Sequence, residues 1–207
     1  MISLKRAWAT YKKKKTRLGI VIDFCLVALV IFISVPDLRM RLMVNTIRLT
    51  LRQPQVMQEE HYMLSLSNLK TYNPDGSAYI WPDTLERPLL LNFGALWSPQ
   101  NRAEMKSLNR FWEKYGDNID VVYLTFDEVD EVENYMMKRK YGFRRLYMKQ
   151  DELSEMERDE EGMVVDLAHS IPSSILLDSN SRIILKKFGA AKWTGSRIDE
   201  IASLVVN

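Results

Sequence analysis

Pro88 to Leu96 is a nearly unbroken apolar run, Pro-Leu-Leu-Leu-Asn-Phe-Gly-Ala-Leu, and a helical pattern follows it almost at once. A short apolar run ending at a glycine fits a strand buried on both faces, and such strands belong to sheets covered by helices. From about Gln100 to Tyr115, Met105, Leu108, Phe111, Trp112 and Tyr115 recur at helical spacing, and Gly116 stands where a C-cap belongs. A buried strand, a tight turn and an amphipathic helix in direct succession commit the chain to a layered α/β domain, because both faces of that sheet need cover.

The flanking sequence extends this pattern. Ile119 to Phe126 reads as a second buried strand, Asp127 to about Tyr141 as a helix with Val129, Val132, Tyr135 and Met136 inward, and Arg144 to Met148 as a third strand. Upstream, Tyr62 to Ser67 alternates like an edge strand. Asn73-Pro74-Asp75-Gly76 is a turn signal, and Ala78 to Trp81 is a short return strand. Downstream, Asp151 to Ala168 is acidic and partly helical. Ser174 to Leu177 and Arg182 to Phe188 form a hairpin about Asp178 to Ser181, and Ser196 to Val206 is a helix with Ile198, Ile201, Ala202 and Val205 on one side. The early β-α-β order implies a parallel pair and the late hairpin an antiparallel one, so the expected sheet is mixed, with helices on both faces.

The turn between the first buried strand and its helix is Trp97-Ser98-Pro99-Gln100-Asn101. A Trp-Cys-x-x-Cys redox motif would occupy this position, and serine and asparagine stand where the two cysteines would be. Residues from about 60 to 207 resemble the thioredoxin-like domain of the TlpA family, bacterial membrane-tethered thiol-disulfide oxidoreductases. Leu90-Leu91-Asn92-Phe93 resembles the family's central strand, Trp97 its active-site tryptophan, and Arg102-Ala103-Glu104-Met105 the segment after its second cysteine. Ser170 to Asp178 is similar to its cis-proline segment and the strand that follows, and Gly189-Ala190-Ala191-Lys192-Trp193 to a closing motif of many members. The resemblance implies a thioredoxin-like fold. It also implies a peptide-binding groove at Trp97, Ser98, Pro99, Gln100, Asn101, Ile171 and Pro172, where Ile171 offers backbone hydrogen bonds to an extended peptide. A purely structural role for Pro172 and Trp97 stays open beside it.

The N-terminal part is of a different kind. Leu18 to Val35 is apolar except for Asp23 and Ser34, long enough to cross a bilayer as a helix, and Lys5, Arg6, Lys12 to Lys15 and Arg17 precede it. The basic flank predicts a cytoplasmic N-terminus. No Ala-x-Ala site follows, which favours an uncleaved anchor over a signal peptide. Leu38 to Arg52 reads as a basic amphipathic helix, with Arg41, Asn45, Arg48 and Arg52 on one face, suited to the headgroup layer or to packing on the domain. The expected organisation is a basic segment over 1–17, an anchor over 18–36, a helix and linker over 37–58 and the domain over 59–207. The expected location is a bacterial inner membrane, with the domain in the periplasm.

Charge divides at the same place. Residues 1–54 carry 11 Lys and Arg against 2 Asp and Glu, and the remainder carries 18 against 25, which sets a basic head on an acidic body. An acidic domain repels phosphate backbones, so nucleic acid is not an expected partner. The sole cysteine, Cys25, lies in the apolar run. Disulfide exchange needs an attacking thiolate and a resolving thiol, and neither Ser98 nor Asn101 supplies one. A Ser98–His169 dyad lacks an orienting third group, and helix capping suits Ser98 and Asn101 better. His61 stands alone. The pairs Asp127-Glu128 and Asp130-Glu131 and the run Asp159-Glu160-Glu161 match no metal spacing, so no metal or cofactor is expected. The expected function is a redox-inactive binding or scaffolding module for an envelope protein. The alternative is a component of a thiol-disulfide pathway working beside a cysteine-bearing partner.

Overall fold

A computed structural model describes residues 16–55, 63–151 and 163–206. Lys5 to Lys15, His61, Tyr62 and Asp159 to Glu161 lie outside the described residues. By contacts the chain divides between Met43 and Val44 into two compact units.

The first unit holds helix α1, Arg17–Ser34, and the start of helix α2, Pro36–Thr50. Thr16 caps α1, its Oγ accepting from Gly19 N–H at 3.2 Å. None of the α1 residues is buried, so the helix presents apolar side chains all round, and it is long and apolar enough to cross a membrane.

The second unit is built on a seven-stranded sheet in the order β2-β1-β5-β4-β3-β6-β7. Its strands are β1 Thr71–Tyr72, β2 Ala78–Tyr79, β3 Leu89–Gly94, β4 Asp120–Thr125, β5 Arg144–Tyr147, β6 Ser173–Leu177 and β7 Ile183–Phe188. The β3–β4 and β4–β5 pairs are parallel and the others antiparallel, which is the expected mixture. Central β3 is buried at every residue. Its register runs Leu89↔Asp120 to Gly94↔Thr125 on one side and Leu89↔Leu177 to Phe93↔Ser173 on the other.

Strand alternation deals the side chains to two cores. Leu90, Tyr123 and Leu176 face helices α3 (Pro99–Tyr115), α4 (Val129–Arg139) and α6 (Ser196–Val206). Leu91, Leu124 and Ile175 face α5 (Met163–His169) and the segment from Leu64 to Trp81. Helices thus cover both faces, and each buried Leu- or Ile-sized side chain stabilises by about 2 kcal/mol.

Three expectations change in detail. Among the described residues, the edge strand expected over Tyr62 to Ser67 shows one bridge, Met63↔Arg182, with Leu64 and Leu66 buried and Ser65 and Ser67 exposed. Its burial alternates as a strand's does, and Leu64 N–H, donating to Ser181 O at 2.9 Å, ties it to the hairpin. β1 is too short to show a period; it pairs with β2 across the Asn73 to Gly76 turn and with β5 at Tyr72↔Tyr147. Residues 44–55, expected within the linker, pack with the domain. Val44 and Pro54 are buried, Arg52 O accepts from Lys192 N–H at 2.9 Å, and Gln53 Nε2 donates to Thr194 O at 2.7 Å.

Candidate functional site

The turn after β3 is held from both sides at Leu96. Its N–H donates to the Asp127 carboxylate at 2.5 Å, and its carbonyl accepts from Arg102 Nε. Asp127 was expected to open α4. It instead precedes the Glu128 N-cap, and its carboxylate also accepts from Thr125 Oγ1 at 3.2 Å. This clamp leaves the next residue, Trp97, 67% exposed, an unusual state for the largest apolar side chain in a chain this size.

Ser98 is the N-cap of α3, with extended backbone (φ −81°, ψ 117°) and Pro99 in the first turn. Its hydroxyl accepts from Asn101 N–H at 3.3 Å and donates to Gln100 Oε1 at 3.3 Å. Asn101 is fully buried and accepts from the Tyr123 hydroxyl at 2.9 Å. Burial pushes the Tyr123 phenol well above its usual range, so it remains a donor. Room for this pair comes from Gly94: a Cβ there would lie 2.4 Å from Asn101 Nδ2 and 2.5 Å from Tyr123 Cε2. Both positions that would carry thiols are therefore occupied by residues committed to the fold.

The Ile171–Pro172 peptide is cis, as the resemblance implies. Phe93 pairs with Ser173, so the end of β3 that leads into Trp97 lies beside the start of β6, immediately after Pro172. Pro172 O accepts from Gly189 N–H at 2.8 Å, whereas the Ile171 backbone makes no hydrogen bond among the described residues. Of the seven groove residues, Trp97 and Gln100 are exposed, Pro99 and Ile171 are half-buried, and Ser98, Asn101 and Pro172 are buried. His169 is exposed at the end of α5, and no described hydrogen bond joins it to Ser98. Among the described residues no group of His, Cys, Asp and Glu could hold a metal ion. A cavity of about 800 Å³ lies toward the opposite end of the sheet, lined by Trp81, Arg87, Trp112 and Arg144 among others.

One turn into α3, Glu104 is fully buried. Its Oε1 accepts from Trp193 Nε1–H at 2.6 Å and from Ala191 N–H at 3.1 Å, while Oε2 has no partner. Ser107 adds a second tie, accepting from Trp193 N–H at 3.2 Å. The Arg102-to-Met105 and Gly189-to-Trp193 motifs, far apart in sequence, are thus one contact. Burial raises the Glu104 carboxyl to about 7, against the partial relief of its hydrogen bonds. Asn92 stands beside it, gives its amide hydrogen to Ser174 Oγ at 2.8 Å, and has an unpartnered Oδ1. The sequence signal for Glu104 is its position on the inward stripe of α3, four residues before Leu108.

No protein-family model matches the sequence, and no curated protein matches it. Solved structures do. A DsbF homologue from Corynebacterium diphtheriae is 15% identical, covers 74% of this chain and 92% of its own, and superposes with a TM-score of 0.53. The thioredoxin domain of a thiol-disulfide oxidoreductase from Bacteroides vulgatus is also 15% identical, covers 67% of this chain and 93% of its own, and gives a TM-score of 0.52. The domain therefore has the thioredoxin-like fold of thiol-disulfide oxidoreductases.

Proposed function

We propose that this chain is a redox-inactive, membrane-anchored member of the TlpA type, in which the thioredoxin-like domain binds an extended segment of an envelope protein. The observation that carries the reading is the state of the two former thiol positions: Ser98 caps α3 and Asn101 is buried on Tyr123, while Trp97 beside them stays exposed. Neither residue forms a mixed disulfide, and Cys25 lies within α1. What supports peptide binding is the open backbone of Ile171 next to Trp97 and Gln100, an edge that suits strand addition. The anchor is α1, with the basic N-terminus in the cytoplasm of a bacterial cell and the domain in the periplasm.

The test is a photocrosslinking probe at Gln100 in intact membranes. A discrete adduct that disappears with Trp97→Ala identifies the client. Absence of any adduct from a folded, photoreactive protein overturns the groove. Disulfide reductase activity that survives Cys25→Ser overturns the redox-inactive reading.

A further inference from the structure

Three guanidinium groups converge on one tyrosine outside the turn. Arg139 stacks on the Tyr135 ring with its Cζ 3.7 Å from the centroid, and Arg102 lies 5.3 Å from the same centroid. Arg48, from the part of α2 that packs with the domain, reaches the first turns of α3, donating to Arg102 O and Ala103 O at 3.4 Å each. Arg139, Arg102 and Arg48 all lower the pKa of the Tyr135 phenol, against the larger effect of burial, and Arg48 and Arg139 act likewise on Tyr141. No carboxylate appears among the groups acting on either phenol. Among the described residues none of the three arginines is in an ion pair. Asp127, which shares Leu96 with Arg102, accepts from the Leu96 N–H and makes no direct ion pair with that arginine. Carbonyl oxygens and a π face hold these guanidiniums, and none of them is in a direct ion pair among the described residues, so positive charge is concentrated here on a domain that is otherwise acidic.

We propose that Arg48, Arg102 and Arg139 around Tyr135 form a site for the phosphate of an anionic phospholipid headgroup in the membrane that α1 enters. The proposal rests on the anchor reading of α1. Arg48 lies on the helix that starts two residues after α1 ends, 14 residues along the chain from Ser34. Among the described residues Arg139 keeps its whole guanidinium fork and Arg102 both Nη groups, while Arg48, bonded to Ala103 O, Arg102 O and Asn45 Oδ1, keeps one hydrogen on each Nη; such planar donors match phosphate oxygens. Exposed Leu49 follows Arg48 on α2 and offers the apolar side chain that a headgroup layer takes up.

The test uses the full chain with Cys25→Ser and a fluorophore on a cysteine introduced at Leu49, incorporated into lipid nanodiscs that carry a headgroup-attached quencher. Discs of phosphatidylcholine alone are compared with discs containing equal parts of phosphatidylglycerol. Quenching is expected in the anionic discs and not in the neutral ones. Arg139→Gln, an exposed position with no role in the Leu96 clamp, is expected to lower the docked-to-undocked ratio about fivefold, and the three glutamine changes together about 100-fold. Arg39 and Arg41 stay in every variant, so the difference belongs to the three arginines. Equal quenching in both discs, or quenching that Arg139→Gln leaves unchanged, overturns the site. Protection of residues 135–141 from hydrogen exchange by inorganic phosphate in neutral discs, with no quenching in anionic discs, makes it a free-phosphate site and overturns the lipid assignment. A chain that fails to enter the discs overturns the anchor reading itself, whereas one that enters and stays unquenched overturns only the headgroup site.

Discussion

Replacing Glu104 with glutamine tests whether the buried carboxyl is neutral in the folded protein. Its pKa is raised from 4.5 to about 7 because burial takes the carboxyl out of water, against the partial relief of its hydrogen bonds from Trp193 and Ala191. A folded-state pKa above the unfolded one means that the neutral form carries the stability. The contribution is complete below about pH 4.5, declines as pH rises, and is lost above about pH 7. At about 1.4 kcal/mol per pKa unit, the full loss is roughly 3 kcal/mol. Glutamine keeps an acceptor for Trp193 and Ala191 and never ionises.

The assay is urea unfolding of the full chain in detergent, followed by tryptophan fluorescence across that pH range. Glu104→Gln is expected to match the parent within about 1 kcal/mol near pH 5 and to exceed it by up to about 3 kcal/mol near pH 8. Glu133 is held below its ordinary value chiefly by hydrogen bonds from Arg145, and Asp199 by hydrogen bonds from Tyr115 and then Lys114. Their contributions run the opposite way, lost as pH falls, and they cancel in the parent-minus-variant difference. A difference that stays constant from acid to alkaline pH refutes the argument, because it requires Glu104 to hold the same charge throughout.

Gly94→Ala forces a Cβ to within 2.4 Å of Asn101 and 2.5 Å of Tyr123, and is expected to cost about 1–3 kcal/mol in the same unfolding assay. Trp97→Ala removes a mostly exposed side chain and is expected to leave stability within about 1 kcal/mol while abolishing the Gln100 crosslink. Arg48→Ala loses its hydrogen bonds to Arg102 O and Ala103 O, and is expected to cost about 1–2 kcal/mol and raise hydrogen exchange over residues 44–50. In a Cys25→Ser background, the paired changes Ser98→Cys and Asn101→Cys place thiols at the cap and third position of α3, where the helix terminus favours thiolate. The expected gain is dithiothreitol-dependent insulin reduction, absent from the parent.

Whatever rests on a repeating pattern was legible in the sequence. The continuous apolar character of Leu89 to Gly94 identified the central strand, and the inward stripes of α3 and α6 matched the residues that are buried. Short or aperiodic pieces were not: two residues at β1 offer no period, and the packing of residues 44–55 depends on partners at Lys192 and Thr194 that no local window contains. The same division runs through the site. Ser98 as a cap could be read from its own neighbourhood, because the N–H it satisfies is three residues away. Asp127 looked like one more carboxylate at a helix start, and only the parallel register of β3 with β4 brings it to Leu96, where it helps fix the turn that exposes Trp97. This frame contains no cysteine. Asn101 took a bond to Tyr123, and Glu104 keeps its two donors from the far end of the chain. The surface around Trp97 is therefore held by contacts that owe nothing to a disulfide, which is the rigidity that the proposed binding role requires.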